Sequence, residues 1–439
     1  MKPTISIIGG YGGMGRLFSK LFIDEGLKVI VSGPTESKGV KAEKELGVVY
    51  EKDNNKAAEC GDVVIITVPI EYTPETIKEV APHVKKGSLL MDFTSIKEEP
   101  CRLMQECAKP GVEVIGTHPV FGPRLSSIEG QVFVITNVSG KKWLKWLKEF
   151  LDRQRAKVIE TTPREHDETM AVVQGLTHFA YIAIGKTLEE MDFDIKESRR
   201  FSSPIYELML NLIGRIIGQD PHLYASIQME NPRVLDVHRV FLKTAENLSK
   251  VVKKGDEKEF VGIMSRAAKH FDDVDYAMGM SDKAIASLVN GLQDLKDLSG
   301  AEVSLRHIYS GQVHTGIIRK VTAENVIIDE FGKESELKLS NVQILPDGQR
   351  LKNKADKFGT VSRDFSVILN DGADEGFITG LVSARDNVTS VEIKDVYKGG
   401  KIGSDKKSVC FRVTMVNHRP RETEGQIADF FRKIGGVLR

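Results

Sequence analysis

The spacing of apolar positions along this chain changes character at three places, and each change marks a different kind of structure. Over the first part, short continuous apolar runs alternate with segments of helical spacing. The runs Thr4-Ile5-Ser6-Ile7-Ile8, Lys28-Val29-Ile30-Val31, Asp62-Val63-Val64-Ile65-Ile66-Thr67-Val68, Leu89-Leu90-Met91-Asp92, Val112-Glu113-Val114-Ile115 and Val132-Phe133-Val134-Ile135 have the length and unbroken apolar character of strands covered on both faces. Leu17, Leu21 and Phe22 recur between the first two at helical spacing. This alternation predicts an α/β domain with a parallel sheet over residues 1–162. Over residues 163–298 the strand-type runs stop. Gly175 to Ile184 is apolar almost all round, and so is Pro204 to Gly218, with Ser203 as its cap and Pro204 at the first helical position. An all-helical domain is expected here, with its greasiest helices in a core or a subunit interface. Residues 299–346 show short alternating runs, Gly316 to Val321 and Asn325 to Asp329, broken by polar turns, and predict a small β-barrel-like domain. Pro346-Asp347-Gly348-Gln349-Arg350 then opens a polar linker, and residues 357–439 read strand, helix, strand, strand, helix, a ferredoxin-like α+β domain.

The first strand runs directly into Gly9-Gly10-Tyr11-Gly12-Gly13-Met14-Gly15, in which Gly10, Gly12 and Gly15 fit G-x-G-x-x-G. In that pattern the first glycine permits a tight turn, the second lets the backbone approach a pyrophosphate, and the third lets helix pack on strand. Free N–H groups at the start of the following helix face the anion. The strand before, the helix after and a second strand beyond make this a dinucleotide-binding Rossmann unit. An NAD-preferring site usually carries Asp or Glu at the tip of the second strand. This chain has Ser32-Gly33-Pro34-Thr35-Glu36-Ser37-Lys38, where Ser32, Thr35 and Lys38 are donors for a 2′-phosphate. NADP is therefore the favoured cofactor, with NAD as the alternative.

In open α/β sheets ligands bind beyond the carboxyl ends of the strands, which draws attention to Pro69, Ser95 and His118. His118 precedes Pro119, which restricts it to extended backbone on a stiff turn; a general base, or a hydrogen-bonding partner for a reacting hydroxyl, is the expected role. Ser95 also suits a helix N-cap. His178 reads, on spacing alone, as a satisfied core histidine. Arg215, inside a greasy helix, calls for an anionic partner, either a protein carboxylate or a ligand's.

Charge and composition narrow the classes. Lys plus Arg and Asp plus Glu are equal at 62 each, which gives no support to polyanion binding by the whole chain. No apolar run approaches membrane-spanning length, and the four cysteines, Cys60, Cys101, Cys107 and Cys410, form neither a metal cluster nor a disulfide framework. With the first strand starting at Thr4 and no leader before it, a reduced, soluble, cytoplasmic protein is expected, without bound metal or membrane partner.

The Rossmann and helical portions together resemble prephenate dehydrogenase, the tyrosine-pathway enzyme. The resemblance rests on Ile7 through Phe18, Val68-Pro69-Ile70, Thr94-Ser95-Ile96-Lys97, His118-Pro119-Val120-Phe121-Gly122-Pro123, Glu165-His166-Asp167, Gln174-Gly175-Leu176-Thr177-His178-Phe179, and Ser202 to Tyr206 through Gly214-Arg215 to Gln219-Asp220-Pro221. It implies oxidative decarboxylation of prephenate to 4-hydroxyphenylpyruvate, with His118 as catalytic histidine and Ser95 as the serine that hydrogen-bonds it and the substrate. Arg215 then binds substrate, His178 belongs to its pocket, and Tyr11, Gly13, Met14, Val68 and Pro69 join the cofactor set. It also implies a homodimer. Some relatives carry arginine where this chain has Glu207. A variant using arogenate, with an amine in place of the side-chain ketone, fits the same motifs. The C-terminal portion resembles the ferredoxin-fold anticodon-binding domain of bacterial phenylalanyl-tRNA synthetase, through Arg363 to Leu369, Lys394 to Gly400, Lys406 to Val409 and Gly435 to Arg439. That layout also serves ligand sensing and dimerisation, so nucleic-acid contact is the less expected of its uses. A non-catalytic nucleotide-sensing or RNA-binding protein is the alternative from another class, and only the tail speaks for it.

Overall fold

The computed structural model describes residues 2–125, 127–308, 310–322, 324–399 and 402–439; Gly400 of the C-terminal motif lies outside them. Contacts divide the chain into two compact units, Met1–Asp272 and Asp273–Arg439.

The first unit opens with eight strands, β1 (Thr4–Ile8), β2 (Lys28–Ser32), β3 (Val49–Glu51), β4 (Val63–Ile66), β5 (Leu89–Asp92), β6 (Glu113–Pro119), β7 (Val132–Asn137) and β8 (Lys157–Glu160). They form one sheet in the order β3-β2-β1-β4-β5-β6-β7-β8. The first six are parallel to their neighbours, β6 and β7 are antiparallel, and β7 and β8 are parallel again. Alternate side chains leave on opposite faces, so Ile5 and Ile7 enter one core with Phe18, Phe22 and Phe133, whereas Ile8, Val64 and Ile66 enter the other with Ile77 and Met104. All four residues of β4 are buried, as the unbroken apolar run requires. Each such side chain contributes roughly 1.5–3 kcal/mol of burial free energy. The Gly13–Asp24 helix docks on β1 through Leu17, Phe18, Leu21 and Phe22. The ring of Phe18 stands 4.4 Å from that of Phe93.

The rest of this unit is helical. Thr162 and Glu165 form a capping box that starts the Pro163–Met170 helix. The chain continues through a π-helical segment, Ala171–Leu176, into the Thr177–Glu190 helix. Helices Pro204–Ile217, Pro221–Met229, Val234–Lys254 and Glu257–Phe271 follow. The Thr177–Glu190 helix, expected to be buried, has no buried residue within this single chain. Phe201, Ile205, Leu235, Val240, Met264 and Phe271 are likewise exposed.

The second unit holds the Val274–Asp297 helix, then β9 (Glu302–His307), β10 (Val313–Val321), β11 (Asn325–Asp329), β12 (Glu334–Lys338) and β13 (Val342–Ile344). These pair antiparallel in the order β12-β11-β10-β9-β13, an open sheet with no pairing between its edges among the described residues, where a barrel was expected. The edge strand β13 has only three residues, too few to reach across, and Leu295 of the preceding helix joins the core instead. The expected linker after Pro346 is a helix, Asp347–Phe358. Leu351, Lys354, Ala355 and Phe358 recur there at helical spacing, a signal that the polar residues between them conceal. The last sheet, β14 (Thr360–Asn370), β15 (Val388–Tyr397), β16 (Lys406–Val416) and the two-residue β17 (Val437–Leu438), runs β15-β16-β14-β17 with helices Glu375–Ser383 and Pro420–Lys433. Among the described residues no helix is long and apolar enough to cross a membrane.

Candidate active site

Register places Ile8, Ile66, Asp92 and Gly116 side by side at the carboxyl edge of β1, β4, β5 and β6. The glycine turn, the loop holding Ser95 and the end of β6 holding His118 all lie just beyond this row.

Beyond Ile8 lies the glycine turn. Its left-handed residue is Gly9, with φ +80°, and not Gly10. Gly10 and Gly15 are needed for packing: a Cβ on Gly15 would sit 2.5 Å from the Gly10 Cα, and one on Gly10 would sit 2.7 Å from Val31. Gly12 is the helix N-cap and has no side chain to bond the first turn. The first N–H groups of the helix, at Gly13, Met14 and Gly15, have no intrahelical acceptor. A Cβ at Gly12 would meet only the Gly9 carbonyl, at 3.2 Å, which leaves the cradle open to a pyrophosphate. The residues present therefore fit a dinucleotide. Val68 packs on Gly9, and Pro69 is exposed before the short Ile70–Tyr72 helix.

The Tyr11 hydroxyl accepts a hydrogen bond from the Thr35 backbone N–H at 2.9 Å, tying the glycine turn to the tip of β2. Ser32, expected at the cofactor, is fully buried, and its hydroxyl donates to Asn54 Oδ1 at 3.0 Å. On a strand covered on both faces it shares with Ile30 the side that meets the Ile8 and Val64 core. Thr35 and Lys38 are exposed at the start of the Glu36–Leu46 helix, and the Thr35 hydroxyl makes no cap bond there.

His118 lies on β6 rather than on a turn after it. The strand outruns its parallel pairing with β5, which ends at Gly116, and continues to Pro119 against β7, with His118 opposite Val134. Below it, Asp92 and Lys97 form an ion pair with both side chains fully buried. Asp92 also accepts from the Thr94 N–H at 3.1 Å and the Thr117 N–H at 3.3 Å, so one carboxylate ties the loop after β5 to β6. Ser95, half-buried in that loop, makes no hydrogen bond to His118 among the described residues.

The partners of His118 come from the helical portion. Its Nδ1 is 2.9 Å from His166 Nε2, and His166 Nδ1 is 2.7 Å from Asp167 Oδ1. Asp167 accepts the Lys97 N–H at 2.7 Å and the Glu98 N–H at 2.8 Å, which locks the helical portion onto the loop after β5. All three are essentially buried, at 2 %, 2 % and 1 % exposure. Burial, with help from His166 and Lys97, holds the His118 imidazole well below its ordinary pKa of 6.5; burial also lowers His166 against the pull of Asp167. Both rings are neutral at neutral pH. The Gln174 amide, on the π-helical segment, stands 3.5 Å from His118 Nε2. In the sequence His166, Asp167 and Gln174 stand only as members of the resemblance motifs, with no role attached; the capping box ahead of an adjacent His-Asp pair was the available signal.

His178 is half-buried, its Nδ1 buried without a hydrogen-bond partner and its ring edge-on to Tyr224 at 4.7 Å. A buried nitrogen left unpaired is a place for a ligand's polar group. Arg215 is exposed, contrary to the burial expected of it, and has no ion-pair partner among the described residues. It sits on the solvent side of the Pro204–Ile217 helix, whose Leu210, Ile213 and Ile216 face inward. Glu207 pairs with Arg199.

A glycine cradle and a buried neutral imidazole, both at the carboxyl edge of a Rossmann sheet, define an NAD(P)-dependent oxidoreductase. A Methanocaldococcus jannaschii protein described as a probable arogenate/prephenate dehydrogenase is 42% identical over 441 residues, covering 99% of this chain and 98% of that one. The chain belongs to the prephenate dehydrogenase family. Residues 18–160 match the family's nucleotide-binding domain and residues 162–266 its dimerization domain, while residues 356–439 match the ferredoxin-fold anticodon binding domain. The T-protein of Haemophilus influenzae is 32% identical over 269 residues, 61% of this chain and 67% of that one. Among solved structures, prephenate dehydrogenase from A. aeolicus, in complex with hydroxyphenyl propionate and NAD+, shares the fold with a TM-score of 0.52 and 22% identity, over 62% of this chain and 98% of that one. Synechocystis arogenate dehydrogenase does so with a TM-score of 0.50 and 19% identity, over 62% and 99%.

Proposed function

We propose that this protein is an NADP-linked prephenate dehydrogenase that works as a homodimer. The observation that carries the reading is the neutral His118, buried at the sheet edge with its Nε2 turned toward Gln174. The glycine turn holds the pyrophosphate, and Thr35 and Lys38 meet the 2′-phosphate, a contact that no strand-tip carboxylate opposes. Bound nicotinamide supplies the hydride acceptor.

Prephenate carries two carboxylates and a ring hydroxyl. Arg215, an uncommitted guanidinium, takes a carboxylate, and the unpaired Nδ1 of His178 and the Ser95 hydroxyl meet polar groups of the substrate. His118 Nε2 accepts the hydroxyl proton as hydride leaves the same carbon. The carbonyl that forms draws the electrons of the C–CO2 bond into the ring, CO2 departs, and the proton returns from His118 to the phenolate oxygen. Atoms and charge balance with no net proton released. The apolar residues exposed on the helical portion are the surface the second subunit covers.

A panel of prephenate or arogenate with NADP or NAD, followed by the ultraviolet absorbance of reduced nicotinamide, tests this. Turnover is expected to be fastest with prephenate and NADP. Arg215→Ala should raise the substrate KM roughly 10- to 100-fold, the worth of a lost charge-assisted hydrogen bond. Faster turnover with arogenate would move the substrate assignment, and no turnover with any pair would refute the reading.

A further inference from the structure

We infer that Asp167 and His166 are positioning residues that fix the tautomer of His118, placing its ring proton on Nδ1 and leaving the Nε2 lone pair for the substrate. The inference rests on the proposed role of His118 and goes beyond it to what makes that ring a directional acceptor.

Hydrogen bonding allows one assignment. Asp167 Oδ1 accepts the Lys97 N–H and Oδ2 accepts the Glu98 N–H, so both oxygens of this carboxylate act as acceptors. The 2.7 Å contact between Asp167 Oδ1 and His166 Nδ1 is then a donation from the imidazole. A neutral imidazole carries one ring proton, so His166 Nε2 is a bare lone pair. That lone pair faces His118 Nδ1 at 2.9 Å, and the contact is a hydrogen bond only if His118 donates. His118 is left with its lone pair on Nε2, where the Gln174 amide stands 3.5 Å away. The carboxylate thus determines, through two rings, which nitrogen of His118 is free to react. The same chain serves the charged form. Once His118 has taken a proton, its Nδ1–H still points along the chain toward a carboxylate, while Lys97, whose charge opposes the new cation, is neutralised by Asp92. Burial of all three members keeps water from offering Nδ1 another partner.

The test uses the full-length protein in two measurements. Nitrogen NMR of histidine-labelled wild type, without substrate, reads the protonated nitrogen of each ring, with His118→Asn and His166→Gln identifying the signals. The Nδ1–H form is expected for both rings at neutral pH. An Nε2–H form of His118 would overturn the inference whatever the activity. Asp167→Asn supplies the second measurement. It removes the carboxylate charge and turns one of the two accepting oxygens into a donor amide, so that Lys97 N–H, Glu98 N–H and His166 Nδ1–H no longer all find an acceptor, and it is expected to lower kcat roughly 10- to 100-fold with both KM values held. The groups acting on His118 are His166 and Lys97, with Asp167 paired to the first and Asp92 to the second. Loss of the Asp167 charge lowers the pKa of the imidazole, so the acid limb of the kcat/KM profile should move to lower pH. A side chain that merely held the fold would, on removal, admit water and move that limb up toward 6.5. An upward shift, or an unchanged kcat, therefore refutes the relay. Should Asp167→Asn fail to fold, the wild-type tautomer alone decides. Absence of turnover in the wild type would sink the dehydrogenase reading and leave the tautomer result standing by itself.

Discussion

His118 and His166 are imidazoles whose burial costs the protein stability in acid. An unfolded chain protonates each below its ordinary pKa of 6.5, whereas the folded chain resists, because both values are lowered in the native state. The unfolded state then binds more protons, so stability falls as pH drops below 6.5, by up to about 1.4 kcal/mol per pH unit for each ring, and stops depending on them above it. Denaturant titrations across that range should show this slope; a flat profile would mean that the rings are charged in the native state. The Lys97–Asp92 pair makes a sharper case. Lys97→Met leaves a fully buried carboxylate with no cation and is expected to cost about 3–5 kcal/mol, read by the same titration. At this scale the chemistry was legible where a residue type and a strand end coincide, as at His118. It was not legible where orientation decides. Ser32 has the right chemistry, yet it is buried with its hydroxyl on Asn54, and Arg215 sits in an apolar sequence on a helix of which only Leu210, Ile213 and Ile216 are buried.

At the scale of elements, the site depends on one interrupted helix. The capping box at Thr162 sets the start of the Pro163–Met170 helix, which delivers His166 and Asp167 to the loop after β5, and the π-helical segment delivers Gln174. π-helical insertions of this kind concentrate at functional positions. Apolar periodicity shows that a helix is present but not that its winding loosens at Ala171, so the sequence could not place Gln174. The strand β6 shows the same limit: Pro119 announces extended backbone, but only the antiparallel partner β7 makes it strand. The greasy Thr177–Glu190 helix was read as core or interface, and its exposure in the single chain favours the second. Val240, 66 % exposed on the Val234–Lys254 helix, belongs to the surface the proposed dimer covers. Sedimentation velocity should find a dimer for the wild type and a monomer-shifted distribution for Val240→Glu. A wild-type monomer would remove the homodimer from the account.

For the whole molecule, the first unit carries the dehydrogenase elements and the second carries sheets whose role is open to direct reading. The two-layer character of residues 357–439 was read from the order of strands and helices, and in the structure Val367, Leu369, Val409, Phe411 and Val413 share one core. The opposite face pairs Ser362 with Thr414, Asp364 with Arg412 and Ser366 with Cys410. Arg412 is engaged by both oxygens of Asp364 at 2.8 Å, and Tyr397 of β15, in register with Ser408, adds an exposed ring at one end of this face. Residues 356–439 match an anticodon-binding domain, and a match of fold does not carry the function with it.

In the proposed mechanism His118 takes the proton of a substrate hydroxyl while hydride passes to a nicotinamide. Steady-state turnover of His118→Asn with saturating prephenate and NADP tests it most directly. A kcat lowered by roughly 10²- to 10⁴-fold is expected, with both KM values near those of the wild type. An unchanged kcat would contradict it.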